Sequence, residues 1–162
     1  MDSDEQPYQR NDPGAMLEQA TRRVLELAQT WLWWDGRPRL SEGGERIYTP
    51  HKVIRRYGDH LIDHLAQVEA LLAGVPTRPN GWYESRVTVD ADWARFTEID
   101  LVEATERLTR LTTTFRLRLH AAGPHEWDRS RDPDWSLREI AEHVGKPWYA
   151  EQLGDLSPQR LV

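Results

Sequence analysis

The sequence predicts an all-α protein, a single four-helix bundle, from two observations. Apolar residues recur at steps of three and four in four separate segments, which is the period of an amphipathic helix. No segment alternates apolar and polar residues for long enough to indicate a sheet, and only the short stretch 86–89 reads as extended. Four amphipathic helices bury their apolar faces against one another. An α+β domain with a hairpin over residues 82–96 is the alternative.

The first helix is predicted from about Ala15 to Trp34, where Asp35, Gly36 and Pro38 end it. Its apolar stripe consists of Leu17, Ala20, Val24, Leu27, Ala28, Trp31 and Trp34. The second helix begins at Thr49, a good N-cap that Pro50 follows, and ends at Gly74. Its inward face consists of Val53, Tyr57, His60, Leu61, His64, Val68, Leu71 and Leu72.

The third helix is predicted from about Glu98 to Ala121. Its apolar side consists of Leu101, Ala104, Leu108, Leu111, Phe115 and Leu119. Ser136 and Glu139 have the spacing of a capping box and start the fourth helix. The apolar side of that helix consists of Leu137, Ile140, Val144 and Trp148. Pro147 removes a backbone donor, so we expect a kink or a break there.

The composition indicates one water-soluble globular domain. The chain has 162 residues, of which 38% are hydrophobic and 30% charged. Residues 1–13 are polar and contain two prolines, so they predict a flexible N-terminal tail before one domain at 14–162. The start does not resemble a signal peptide and no apolar run is long enough for a bilayer. We therefore expect a cytoplasmic protein that does not associate with membranes.

The charge and the missing cysteines exclude several classes of function. A net charge of −6 argues against nucleic-acid binding, which favours a basic face. Without cysteine, the chain has no disulfide framework, no thiolate nucleophile and no sulfur ligand for a metal.

The histidines are the candidates for chemistry. Three of the six, His51, His120 and His125, lie near predicted helix ends or loops, where we expect structural or surface roles. His60 and His64 are four residues apart, which places both rings on one face of a helix and within reach of one ion. Because that face points inward, desolvation of two imidazoles favours a metal or a carboxylate partner.

His143 is the predicted third ligand. It borders the apolar stripe of the fourth helix and so reaches the core from a separate element. Three imidazoles with open positions for water are typical of a catalytic metal site, and they suit zinc, nickel, iron or copper. Asp63 and Glu142 adjoin ligands in sequence but point away from them, so they are expected to be outer-shell or solvent groups. An inverted zincin motif, H-x-x-E-H with Asp63 in place of the glutamate, is an alternative.

Two segments together resemble the DinB-like superfamily, which includes YfiT-type metal-dependent hydrolases and thiol-dependent transferases. The segment WSLREIAEH, residues 135–143, is similar to its W-S-x-R-E-x-x-x-H motif, and HLIDHLAQ, residues 60–67, is similar to its H-x-x-x-H-x-x-Q helix. The resemblance implies a four-helix bundle with one metal, zinc or nickel, on His60, His64 and His143. It also places Gln67 beside that site.

The order of the two segments departs from the family. The W-S…H helix usually precedes the H-x-x-x-H helix, whereas here it follows. A circular permutation explains this order, as does exchange of halves between two chains of a homodimer.

Two functions follow from the resemblance. The first is a metal-dependent hydrolase, or a transferase or isomerase that uses a low-molecular-weight thiol on a small-molecule substrate. Only Lys52 and Lys146 of the 21 basic residues are lysines, which suggests a GC-rich, actinobacterial type of genome in which that thiol would be mycothiol. The second is a non-catalytic, metal-stabilised bundle that acts as a stress-response binding or scaffold protein. An open coordination position would favour the first.

Overall fold

The computed structural model describes residues 12–159, and most of that length is helical, as predicted. The helices are α1 (Pro13–Thr30, followed by a 3-10 turn at Trp31–Trp33), α2 (Pro50–Ala73), α3 (Glu98–Ala122), α4 (Pro124–Trp127), α5 (Leu137–Val144) and α6 (Trp148–Leu153). The predicted flexible tail, residues 1–13, lies outside the described residues except for Asp12 and Pro13. These two cap and begin α1, two residues earlier than predicted.

The start and end of α2 and the start of α5 are set by the residues predicted to set them. The Thr49 hydroxyl accepts a hydrogen bond from the Lys52 amide at 3.3 Å, and Gly74 ends α2 in the left-handed conformation with φ +67°. The Ser136 hydroxyl accepts from the amide of Glu139, whose carboxylate accepts from the amide of Ser136 at 2.7 Å. Capping groups of this kind satisfy backbone donors that a helix leaves free.

The predicted fourth helix is broken in two, as Pro147 led us to expect. Helix α5 ends at Val144, and α6 starts at Trp148 directly after the proline. The helices on either side of the break, α5 and α6, both pack on α2.

The only strands within residues 12–159 lie where no strand was predicted. The pair β1 (Arg39–Leu40) and β2 (Ile47–Tyr48) is antiparallel and fills the loop between α1 and α2. The expected extended stretch 86–89 and the alternative hairpin over 82–96 are not strands. Side chains of α2 hold that segment instead: the Lys52 ammonium donates to Thr88 Oγ1 at 2.9 Å.

The core lies between α1, α2 and α3 and the α5–α6 segment. Helix α1 packs mainly on α3 and also on α5, while α2 packs on α3, α5 and α6. At the centre, the Thr21 hydroxyl bonds to the hydroxyls of Tyr57 at 2.9 Å and Thr112 at 2.7 Å, so one polar link joins α1, α2 and α3. Between residues 12 and 159, no helix has the length and apolar character needed to cross a membrane.

Two predicted core tryptophans lie further out than expected. Trp34 follows the 3-10 turn and is only half-buried, because the helical register of α1 has ended by then. Trp148 is 38% exposed, because the break before α6 takes it off the stripe that Ile140 and Val144 define. It packs edge-on against Tyr48 instead.

Thr49 offers a test of how α2 is anchored. Its fully buried hydroxyl caps α2 and donates to the carbonyl of Asp92 at 2.5 Å, whereas the corresponding N-cap of α3, Thr97, is exposed. We expect Thr49→Ala to lower the free energy of unfolding by about 2 kcal/mol and Thr97→Ala by about 1 kcal/mol or less. Urea denaturation measures both. Equal losses would show that the Asp92 contact contributes nothing.

Candidate metal centre

Helix α2 places two imidazoles on one face. His60 and His64 are one helical turn apart, and their ring centroids are 4.7 Å apart. Both side chains are half-buried on the side of α2 that faces α5 and α6. The predicted pairing of these two residues is therefore present in the structure.

The last turn of α5 adds the third imidazole. The His143 ring lies 4.8 Å from the His60 ring and 5.0 Å from the His64 ring, measured between centroids. One ring nitrogen of each histidine lies within 4.8 Å of those of the other two, so the three could hold one metal ion. Residues about 80 positions apart in the chain meet here because α5 packs on α2.

Within residues 12–159, the three histidines form a group without a fourth ligand of the usual kinds. Over residues 12–159, no cysteine or carboxylate joins the group, and His143 is exposed to solvent. A structural zinc site normally closes its shell with four protein ligands, whereas a catalytic site keeps a position free. The three imidazoles could therefore hold a metal ion, and the exposed His143 leaves the group uncovered on the solvent side.

Gln67 orients one of the imidazoles. Its Oε1 lies 2.7 Å from Nδ1 of His64, so Nδ1 donates to the amide oxygen and Nε2 is left as the ligand atom. An acceptor of this kind fixes the tautomer of a metal-binding imidazole. No such acceptor is found for His60 or His143 in the part of the chain that the structure describes. Asp63 and Glu142 bond to none of the three rings there, in keeping with the expected outer or solvent position.

The environment favours the neutral form of His60 and His143. Burial, together with the neighbouring His64, His143 and Arg56, lowers the pKa of His60 from 6.5 to about 3, and burial is the largest of these causes. Burial is also the main cause that lowers the pKa of His143, with His64 and Lys146 contributing. A neutral imidazole is the form that binds a metal, so these two rings are ready to act as ligands at neutral pH.

Aromatic rings enclose the three histidines. Trp135 lies nearly parallel to His64, at 15° and 6.4 Å, and its ring is 5.0 Å from that of His143. Tyr149 stands edge-on to His60 at 5.9 Å. Trp135 is 44% exposed, so it borders the open side of the centre, and low-polarity walls of this kind strengthen electrostatic interactions within.

The remaining histidines have the structural or surface positions expected of them. His51 Nε2 lies 3.1 Å from the carbonyl oxygen of Arg95, and His120 Nε2 lies 2.7 Å from the carboxylate of Asp12. His125 is exposed. The cluster that could hold a metal contains none of them.

Comparison with protein-family models, with curated proteins and with solved structures gives no match. The resemblance to the DinB-like superfamily thus remains a prediction from two short segments, and the geometry of the histidines stands independently of it.

Sequence reasoning missed Arg56 and Tyr149, whose side chains contact each other beside His60. Arg56 precedes His60 by four residues, so the same helical spacing that paired the histidines could have found it. Tyr149 gave no signal, because it faces His60 only after the chain breaks at Pro147.

Gln67 provides a test of the His64 orientation. Gln67→Leu removes the acceptor for Nδ1–H, and we expect it to weaken metal affinity by about tenfold, since outer-shell partners typically contribute 10- to 100-fold. Gln67→Glu keeps the acceptor and adds charge, so it should bind at least as tightly as the wild type. Competition with a chromophoric chelator measures both affinities. Unchanged affinity in Gln67→Leu would rule out this role.

The metal-free protein should lose stability in mild acid because of His60. Its pKa is about 3 in the folded state and 6.5 when unfolded, so the unfolded state binds the extra proton between these values. The contribution of the neutral His60 ring to the free energy of unfolding is fully present above pH 6.5 and is lost as the pH falls toward 3. With the ring half-buried, we expect a loss of about 1–2 kcal/mol between pH 7.5 and 5.

Urea denaturation in the presence of a chelator, at the two pH values, measures this loss. His60→Gln should show a smaller loss than the wild type, because glutamine does not titrate. The exposed His125→Gln is the matched control and should retain the wild-type loss. An equal loss in all three proteins would contradict the prediction.

Proposed function

We propose that this chain is a DinB-like metalloprotein whose four predicted helical segments form a bundle in permuted order, with a divalent transition metal, zinc or nickel, on His60, His64 and His143. The observation that carries the proposal is the convergence of three imidazoles from two helices, with no cysteine or carboxylate joining them in the part of the chain that the structure describes. An internal polar cluster would instead be expected to pair its histidines with carboxylates.

We further propose an enzymatic role, as a metal-dependent hydrolase or a transferase that uses a low-molecular-weight thiol such as mycothiol. A divalent ion held by three neutral ligands would lower the pKa of a bound water or thiol toward neutrality. Gln67 would fix the tautomer of His64, and Trp135 and Tyr149 would limit the access of bulk water. The open side at His143 supports this role over that of a non-catalytic, metal-stabilised scaffold.

Metal analysis of purified variants tests the site. The wild-type protein should carry about one ion per chain, and the His60→Ala/His64→Ala double variant and His143→Ala should carry nearly none. His125→Ala is the control and should bind as the wild type does. Circular dichroism verifies that each variant is folded. Equal metal content in all four proteins would refute the proposed site.

The reaction requires a second measurement. Metal-loaded wild-type protein should transfer mycothiol to an electrophilic acceptor or hydrolyse a simple ester, and removal of the ion by a chelator should abolish the rate. If full metal occupancy gives neither reaction above the chelated control, the scaffold role is favoured.

A further inference from the structure

Trp135 contacts two of the three histidines. Its ring centroid lies 5.0 Å from that of His143, and the indole lies nearly parallel to His64 at 6.4 Å. The two imidazoles belong to different helices, α5 and α2, so one indole spans the junction at which the centre forms. A group bound to an ion on these histidines would therefore lie beside this indole.

The backbone and the rings around Trp135 are fixed. Trp135 directly precedes Ser136, which forms a capping box with Glu139 at the start of α5. Because α5 has only eight residues, the indole at its beginning reaches His143 in its last turn. On the side of α2, Gln67 orients the neighbouring imidazole. The indole and the imidazoles thus form a pre-organised surface, which lowers the entropic cost of binding a ligand.

The contacts cover only part of the indole. Trp135 is 44% exposed and the neighbouring His143 is exposed as well, so both border the solvent side of the centre. Aromatic side chains are prominent in ligand sites because they offer a large, rigid apolar area. The exposed part of the indole is therefore an apolar surface available to a ligand of the ion.

The charge of the ion restricts what can lie on this surface. Imidazoles are neutral when they bind a metal, and no carboxylate joins them within residues 12–159, so the double positive charge of an ion would stay uncompensated. A tryptophan face attracts cations by itself, but the neighbouring ion would repel them. A flat, uncharged, conjugated group meets no such repulsion, and it covers more of the indole than a puckered group does.

We propose that the centre takes a substrate with one metal-binding group and a planar, conjugated body: the group occupies the open metal position while the body stacks on Trp135. This inference rests on the proposed function and specifies its substrate class. Aryl esters and conjugated electrophiles belong to this class, whereas saturated and cationic compounds do not. Trp135 is thus a specificity-determining residue.

Two thiols that differ only in the saturation of a ring test the proposal on the cobalt-loaded full-length protein. Phenylmethanethiol carries a planar ring, and cyclohexylmethanethiol carries a puckered ring on the same carbon skeleton. Each is titrated while sulfur-to-cobalt absorption is recorded, and the quantity compared is the ratio of their affinities. Intrinsic differences between the probes cancel when the wild type and a variant are measured with the same pair.

We expect the wild type to prefer the planar thiol and Trp135→Leu to reduce that preference about fivefold, because leucine keeps an apolar surface but cannot stack. Trp135→Phe keeps a flat ring and should retain most of the preference. Trp93→Leu is the matched control and should leave the ratio unchanged. Trp93 is 45% exposed and follows Asp92, which bonds to Thr49 at the start of α2.

The outcomes separate this inference from the proposed function. If both thiols bind and Trp135→Leu leaves their ratio unchanged, the stacking role of Trp135 is overturned while the metal site stands. A wild type whose preference for the planar thiol does not exceed that of cobalt bound to imidazole in solution overturns it without any variant. If the wild type binds no cobalt, or binds it without admitting either thiol, the proposed open metal site itself fails.

Discussion

The desolvation of two imidazoles on one face of α2 is the constraint on which the rest of the centre depends. A half-buried pair of rings, one turn apart, is stable only when each ring stays neutral or gains a partner. The structure supplies His143 as a third neutral ring, Gln67 as an acceptor for His64, and the edge of Tyr149 against His60. None of these groups carries a negative charge, so a metal ion bound here would meet only neutral ligands.

Side chains of α2, the helix that carries His60 and His64, also anchor a neighbouring loop. Lys52, Arg55 and Arg56 reach from α2 to the segment 83–92: Arg55 pairs with the buried carboxylate of Asp92 at 2.7 Å, and Arg56 donates to the Tyr83 carbonyl. Burial lowers the pKa of Lys52 to about 8, yet its ammonium still donates to the Ile47 carbonyl at 2.8 Å. Rigid anchoring of a loop beside a site helps to hold its ligands in position.

Local signals in the sequence predicted the helices well and the irregular segments poorly. Caps at Thr49 and Ser136, the stop at Gly74 and the break at Pro147 depend on bonds within a few residues, and all are found. The hairpin of β1 and β2 was missed, because two-residue strands carry no periodic pattern. The stretch 86–89 has the composition of a strand. It has no neighbouring strand within residues 12–159, however, and side chains of α2 hold it in place instead.

Helical periodicity in the sequence was enough to predict which residues of α2 share a face, because a helix fixes the spacing of His60, His64 and Gln67 whatever surrounds it. The sequence also indicated His143 as a candidate ligand, through the motif in residues 135–143. The approach of α5, which brings His143 within reach of α2, is visible only in the tertiary structure, as are the contacts of Tyr149 with His60 and Arg56. Helical spacing is a property of the backbone, whereas the approach of distant segments depends on how complete apolar faces pack.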